Sequence, residues 1–226
     1  MKKTLTGAAI IILMASGSAF AQSYDIDSVT NKVDADDITA TATSYSMATA
    51  GGIGIEDSQG TGILTNNVDA DDITATATSY SMATGGGIGI KGGYSTGTLT
   101  NNVDADDITA TATSSSMATA GGIGIRYSRT EIVTNNVDAD DITATAKSNS
   151  MATAGGIGIN NSYGGTGKLK NVVNADDITA FAEGGAIATA GGISMNNSHD
   201  IESATNKVDA DDITAVAKGE YATATA

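Results

Sequence analysis

Between residues 38 and 43 the chain alternates strictly. Ile38, Ala40 and Ala42 are apolar, and Thr39, Thr41 and Thr43 stand between them. The same stretch returns five more times, and its Ile-Ala-Ala set is unchanged in every copy. The intervening positions drift: Thr43 is replaced by Lys147, Glu183 and Lys218, and Thr41 by Phe181 and Val216. A period of two with one fixed apolar face and one tolerant face predicts a half-buried strand, Ile and Ala inward and Thr outward. The parity breaks at two places, and a glycine pair marks a third corner. Tyr45 becomes Ser115, Asn149 and Gly185, as an exposed position does, whereas Met47 stays Met or becomes Ile187, as a buried one does. One straight strand cannot put both on opposite faces, so a corner is expected at residues 44–46. Asp36-Asp37 shifts parity in the same way, and Gly51-Gly52 supplies backbone freedom for a third corner. Ile53 and Ile55 are then expected to return to the core.

These corners recur at long range. Repeats start at residues 30, 65, 100, 134, 170 and 205, a period of about 35 residues. Each of the first five has a constant block such as 30–55 and a variable block such as 56–64, where all the length variation falls. Such periods mark solenoids, propellers or arrays, and variation confined to one block reads as a loop. The expected fold is all-β: a β-solenoid of six ~35-residue repeats spanning residues 30–226, after a lead-in at 22–29. The alternative is an antiparallel array of six hairpins, with GIGI and GTGIL as the two arms of each.

Residues 1–21 read as a secretory signal peptide. Lys2 and Lys3 precede an apolar run, and Ala19-Phe20-Ala21 is a small-x-small cleavage site. The run is too short to span a bilayer, so the expected location is secreted, extracellular or cell-surface, without membrane insertion. Secretion permits disulfides, but the chain has no Cys, and also no Pro or Trp. Removing Lys2 and Lys3 takes the net charge from −15 to −17. A field of that sign repels nucleic acid and anionic lipid.

The acidic residues are concentrated: 17 of the 21 aspartates lie in the repeated motif. Asp34, Asp36 and Asp37 recur as Asp69, Asp71 and Asp72, as Asp104, Asp106 and Asp107, and as Asp138, Asp140 and Asp141. Stacked in a solenoid they would form columns about 4.8 Å apart, at which separation neighbouring carboxylates repel. Two readings remain open. The aspartates cap backbone amides at solvated corners, or they hold calcium between coils, since oxygen ligands repeated along a stack suit that ion. GGIGI resembles part of a calcium-binding nonapeptide repeat, but the Asp position is Ile55, Ile90, Ile125, Ile159 or Met195, so nothing transfers. Catalytic carboxylates act once, in a cleft, and six equivalent copies make none special. The lone His199 lies in a variable block, no nucleophile-base pair can be assembled, and no cofactor other than calcium is implied. An enzyme is not expected.

Two further column sets stand out. Asn31, Asn66, Asn101, Asn135, Asn171 and Asn206 are invariant among the copies, as stacked amides hydrogen-bonding along an axis require. Thr39, Thr41, Thr43, Thr74, Thr76, Thr78, Thr109, Thr111 and Thr113 would form a flat outward grid. That grid resembles the ice-binding face of β-solenoid antifreeze proteins; it also suits ordinary outward ladders.

A signal peptide, a short lead and imperfect repeats with stacked amides resemble curlin-type functional-amyloid subunits over most of the mature chain. The curlin Ser, Gln-x-Gly, Asn and Gln pattern is absent, with Thr, Asp and Ala in the equivalent roles, so no residue is carried over. The resemblance implies adhesion, a biofilm scaffold or a surface coat. Residues 221–226, YATATA, are a strand pattern without charge, and an uncapped end of that kind can template another chain. The leading expectation is a secreted structural subunit of an extracellular fibre or matrix, self-associating end to end. The alternatives are an ice-binding solenoid using the Thr grid and a monomeric, calcium-stabilised surface adhesin using the variable blocks.

Overall fold

The computed structural model describes residues 19–21, 26–58, 60–160, 166–196 and 201–226. All regular structure in them is β, and every strand pairing is parallel. The chain is a β-solenoid of about five full turns with a shortened sixth. The antiparallel hairpin array is overturned: among the described residues each repeat segment pairs with its own equivalent one repeat away, and none folds back onto its sequence neighbour.

Each coil has three parts. A long extended segment comes first, as in Ile26–Thr43 and Thr61–Thr78. A central strand follows, as in Met47–Ala50 and Met82–Gly85. A third strand completes the coil, as in Ile53–Ser58. In the second and third turns the third strand runs straight into the long segment of the following turn, giving Ile88–Thr113 and Ile123–Lys147. The variable block is therefore extended there and not a free loop, with one register shift between Gly93 and Thr96. The first long segment starts at Ile26, inside the expected lead-in. Of the segment expected to be a signal peptide, residues 1–18 lie outside the described residues; Ala19–Ala21 forms a strand beside Ile53–Ile55.

The register places like on like. Asn31 stacks on Asn66, Val33 on Val68, Ile38 on Ile73 and Ala42 on Ala77, and the pattern holds through to Asn206, Val208, Ile213 and Ala217. The corners fall where parity required. Ser79 and Tyr80 have φ of 57° and 63°, with matching pairs in the first, third, fourth and fifth coils. Two successive left-handed residues strain any side chain but glycine. A serine holds the turn: Ser81 Oγ accepts the Thr78 N–H at 3.0 Å and lies 2.7 Å from the Ala42 carbonyl of the coil below. The fifth coil uses Gly184-Gly185 at these positions, which removes the strain, and has Ala186 in place of the serine. At the Asp corner the ladder passes from Ala35 to Asp37, leaving Asp36 unpaired in it.

The interior departs from the expected single core. Residues 81–90 are buried on both faces. The central strand presents Ala83 to the Ile73-Ala75-Ala77 face of the long segment, and its other face meets the third strand. A Cβ on Gly89 would stand 2.0 Å from Thr84 Oγ1 and 2.6 Å from Met82 Cε. Glycine allows that approach beside Thr and Met; the fifth coil has Ser194 at this position, where the Met is replaced by Ile187. Ile53 and Ile55 do not rejoin the first core; with Leu64 and their equivalents they form a second one. The first core is Ala-rich and thin, the second Ile- and Leu-rich.

Candidate functional site

The invariant asparagines form one continuous ladder inside the stack. Asn31 Nδ2 donates to Asn66 Oδ1 at 2.9 Å, Asn66 to Asn101, Asn101 to Asn135 and Asn135 to Asn171, each at 2.8 Å. Asn171 completes it by donating to Asn206 at 2.8 Å. The same Nδ2 atoms donate to the carbonyls of Gly51, Gly86, Gly121, Gly155 and Gly191. Four of the six asparagines are fully buried, so an amide there must find partners. The ladder has one direction. Among the described residues, Asn31 Oδ1 accepts no bond and Asn206 Nδ2 makes none.

A second ladder escaped the sequence reading. Asn136 Nδ2 donates to Asn102 Oδ1 and Asn102 Nδ2 to Asn67 Oδ1, both at 2.7 Å and in the opposite direction. Its signal was the repeated Asn-Asn pair, hidden because the position is Lys32, Val172 and Lys207 in the other coils. This ladder and the Asp69-Asp104-Asp138 column flank an open groove of about 420 Å³ floored by Val68, Val103 and Val137.

The Asp columns stand on exposed corners. Asp34, Asp69, Asp104 and Asp138 form one column, and Asn174 continues it by donating to Asp138 at 2.8 Å. Asp37, Asp72, Asp107 and Asp141 form a second, with Asp36, Asp71, Asp106 and Asp140 at the corner beside it. Desolvation, then the neighbouring Asp106, Asp36, Asp37 and Asp72, holds Asp71 above the usual carboxylate range. Asp107 and Asp177 are raised by desolvation and by the carboxylates above and below them. No motif aspartate accepts a backbone amide among the described residues, so the corners are solvated without side-chain capping. No three acidic or His side chains among the described residues converge as a metal cluster.

The Thr grid faces outward in register: Thr39, Thr74 and Thr109 form one column, Thr41, Thr76 and Thr111 the next, and Thr43, Thr78 and Thr113 the third. The fourth coil turns the third column to Lys147, and the fifth turns the second to Phe181. Tyr45 and Tyr80 stack beside it at 5.2 Å. A further Thr column runs inside the stack. Thr84, Thr119, Thr153 and Thr189 are fully buried, Thr49 is nearly so, and their hydroxyls have no partner.

The two outer long segments each leave one edge unpaired among the described residues. Ile26–Thr43 pairs only with Thr61–Thr78, and Ile201–Lys218 only with Thr166–Glu183. Ile178 and Ile38 are each 1% exposed, whereas their equivalent Ile213 in the shortened sixth coil, which lacks the Gly-Gly corner that packs on the Ile in the other coils, is 55% exposed. No helix among the described residues is long and apolar enough to cross a membrane. Comparison with family models, with curated proteins and with solved structures gave no match.

Proposed function

We propose that this protein is a secreted structural subunit that polymerises end to end into an extracellular fibre or matrix. The observation that carries it is the pair of unpaired parallel edges at opposite ends of one stack, the later with its core Ile213 uncovered. Contacts between two different surfaces that do not close into a ring build filaments. An exposed, long, regular edge is a template for another strand. The Asp columns oppose growth electrostatically, so cations and acid favour it. The test is electron microscopy of the mature chain, from Gln22 onward, incubated with calcium and with EDTA. Unbranched fibres with a repeat of about 4.8 Å along the axis are expected, forming faster with calcium. Particles that stay monomeric in both would remove this function.

The Thr face supports a second reading, ice binding. Three in-register Thr columns give spacings of about 6.6 Å along a strand and 4.8 Å between coils. That reading expects thermal hysteresis from the wild-type chain and its loss in Thr76→Tyr.

A further inference from the structure

The two outermost long segments are more like each other than like the coils they touch. Residues 26–40 read IDSVTNKVDADDITA and residues 201–215 read IESATNKVDADDITA, differing only at Asp27/Glu202 and Val29/Ala204. Against its own neighbour, TGILTNNVDADDITA at 61–75, the first differs at five positions. The last differs from its neighbour, TGKLKNVVNADDITA at 166–180, at seven. This fold stacks like on like along most of each ladder, so the best-matched surface for the last coil is the first coil of another copy.

Resting on the fibre reading above, we infer that the joint between copies has one register: residues 201–218 of one copy pair in parallel with residues 26–43 of the next. The Asn ladder fixes the direction. Its open donor, Asn206 Nδ2, is at one end and its open acceptor, Asn31 Oδ1, at the other, so only a head-to-tail joint continues it. Two last coils facing each other by a twofold axis would run antiparallel and set donor against donor. The same register brings Ile213 onto Ile38 and Ala215 and Ala217 onto Ala40 and Ala42, extending the first core across the joint. It also explains the Lys pair. Interior coils have Asn or Val at this position, and only the two outer ones have Lys32 and Lys207. Each lies on the same face as an aspartate two residues on, Asp34 or Asp209. Stacked at the joint the two lysines repel each other as stacked carboxylates do, but each stands beside the Asp34–Asp209 pair, so this level carries less net negative charge than an interior Asn level.

Cross-linking tests this, because the chain has no cysteine of its own. Thr39 and Thr214 belong to one outward column, five levels apart within a molecule. At about 4.8 Å per level that is far beyond disulfide reach, about 7 Å between Cα atoms. Any bridge therefore joins two copies. Fibres of the Thr39→Cys/Thr214→Cys double variant, mildly oxidised and run without reductant, should give a ladder of multimers. Each single variant should remain monomeric. Fibres that form but yield no ladder would overturn the register while leaving the fibre intact. Dimers from Thr214→Cys alone would establish the twofold joint instead. If no fibres form, by microscopy of the wild-type chain, both readings fall.

Discussion

Asn101 lies in the middle of the buried ladder, and its replacement by alanine should be severe. The side chain is fully buried. It accepts from Asn66 at 2.8 Å, donates to Asn135 at 2.8 Å and donates to the Gly121 carbonyl at 2.9 Å. Removing it orphans one N–H of Asn66, the amide oxygen of Asn135 and the Gly121 carbonyl. Each orphaned buried group costs about 1–3 kcal/mol, and partial relaxation of the coil puts the expected loss near ~4 kcal/mol. Asn206→Ala is the internal control. It removes one bond in the same column from an exposed residue, so it should cost no more than about 1 kcal/mol. Asn101→Asp adds a pH signature. Its second oxygen would face the Gly121 carbonyl and Asn135 Oδ1, acceptor against acceptor, in a site that disfavours charge. The folded pKa would rise above the unfolded value of about 3.9. The protein then binds more protons folded than unfolded, so the cost grows as pH rises above that value and shrinks below it. The assay is urea unfolding of the monomeric mature chain, followed by circular dichroism at pH 3 and pH 7, with equal slopes required for comparison. The reasoning fails if Asn101→Ala costs no more than Asn206→Ala, or if Asn101→Asp is equally tolerated at both pH values.

Other parts of the stack give further tests. Asp107 is held above its usual value of 3.8 by desolvation and then by Asp141 and Asp72. A raised folded pKa destabilises the native state above the unfolded value, so Asp107→Asn should raise the urea midpoint at pH 7 and make no difference near pH 3. A drop at pH 7 would contradict the repulsion. Thr119 buries an unpartnered hydroxyl, so Thr119→Val should leave stability unchanged or raise it by about 1 kcal/mol. A clear loss in thermal unfolding would mean that the hydroxyl has a partner. At Gly122 a Cβ would lie 2.3 Å from the Gly156 carbonyl oxygen of the next coil. Because the obstacle is backbone, Gly122→Ala should cost at least the upper end of the ~1–3 kcal/mol typical of overpacking, and a midpoint within error of wild type would refute that contact.

Much of this was readable in the repeats because internal copies act as substitutions. Drift at Thr43 against constancy at Ile38, Ala40 and Ala42 gave the faces of the long segment, parity changes gave two corners, and Gly51-Gly52 gave the third. The second core was hidden because periodicity reports one-sided burial, whereas residues 81–90 are covered on both sides. Its trace was the repeated Gly54, Gly89, Gly124 and Gly158, each leaving room for a Thr and a Met of the central strand. Asp capping did not follow from composition, since the backbone on either side of the Asp36 corner is already paired between coils, Ala35 with Ala70 and Asp37 with Asp72. The polarity of the Asn ladder, on which the joint depends, was invisible in a column of identical letters.

The thin Ala-rich core also determines how this fold responds to temperature. On unfolding, the first core exposes mostly alanine, the second adds Ile and Leu, and the buried Asn and Thr columns expose amide and hydroxyl surface beside them. Apolar exposure raises heat capacity and polar exposure lowers it, so the increment should fall below the usual ~12–15 cal/mol/K per residue. A small increment flattens the stability curve. Cold weakens hydrophobic burial, but this chain depends on it less than on its ladders, and its order should persist almost undiminished to the freezing point of water.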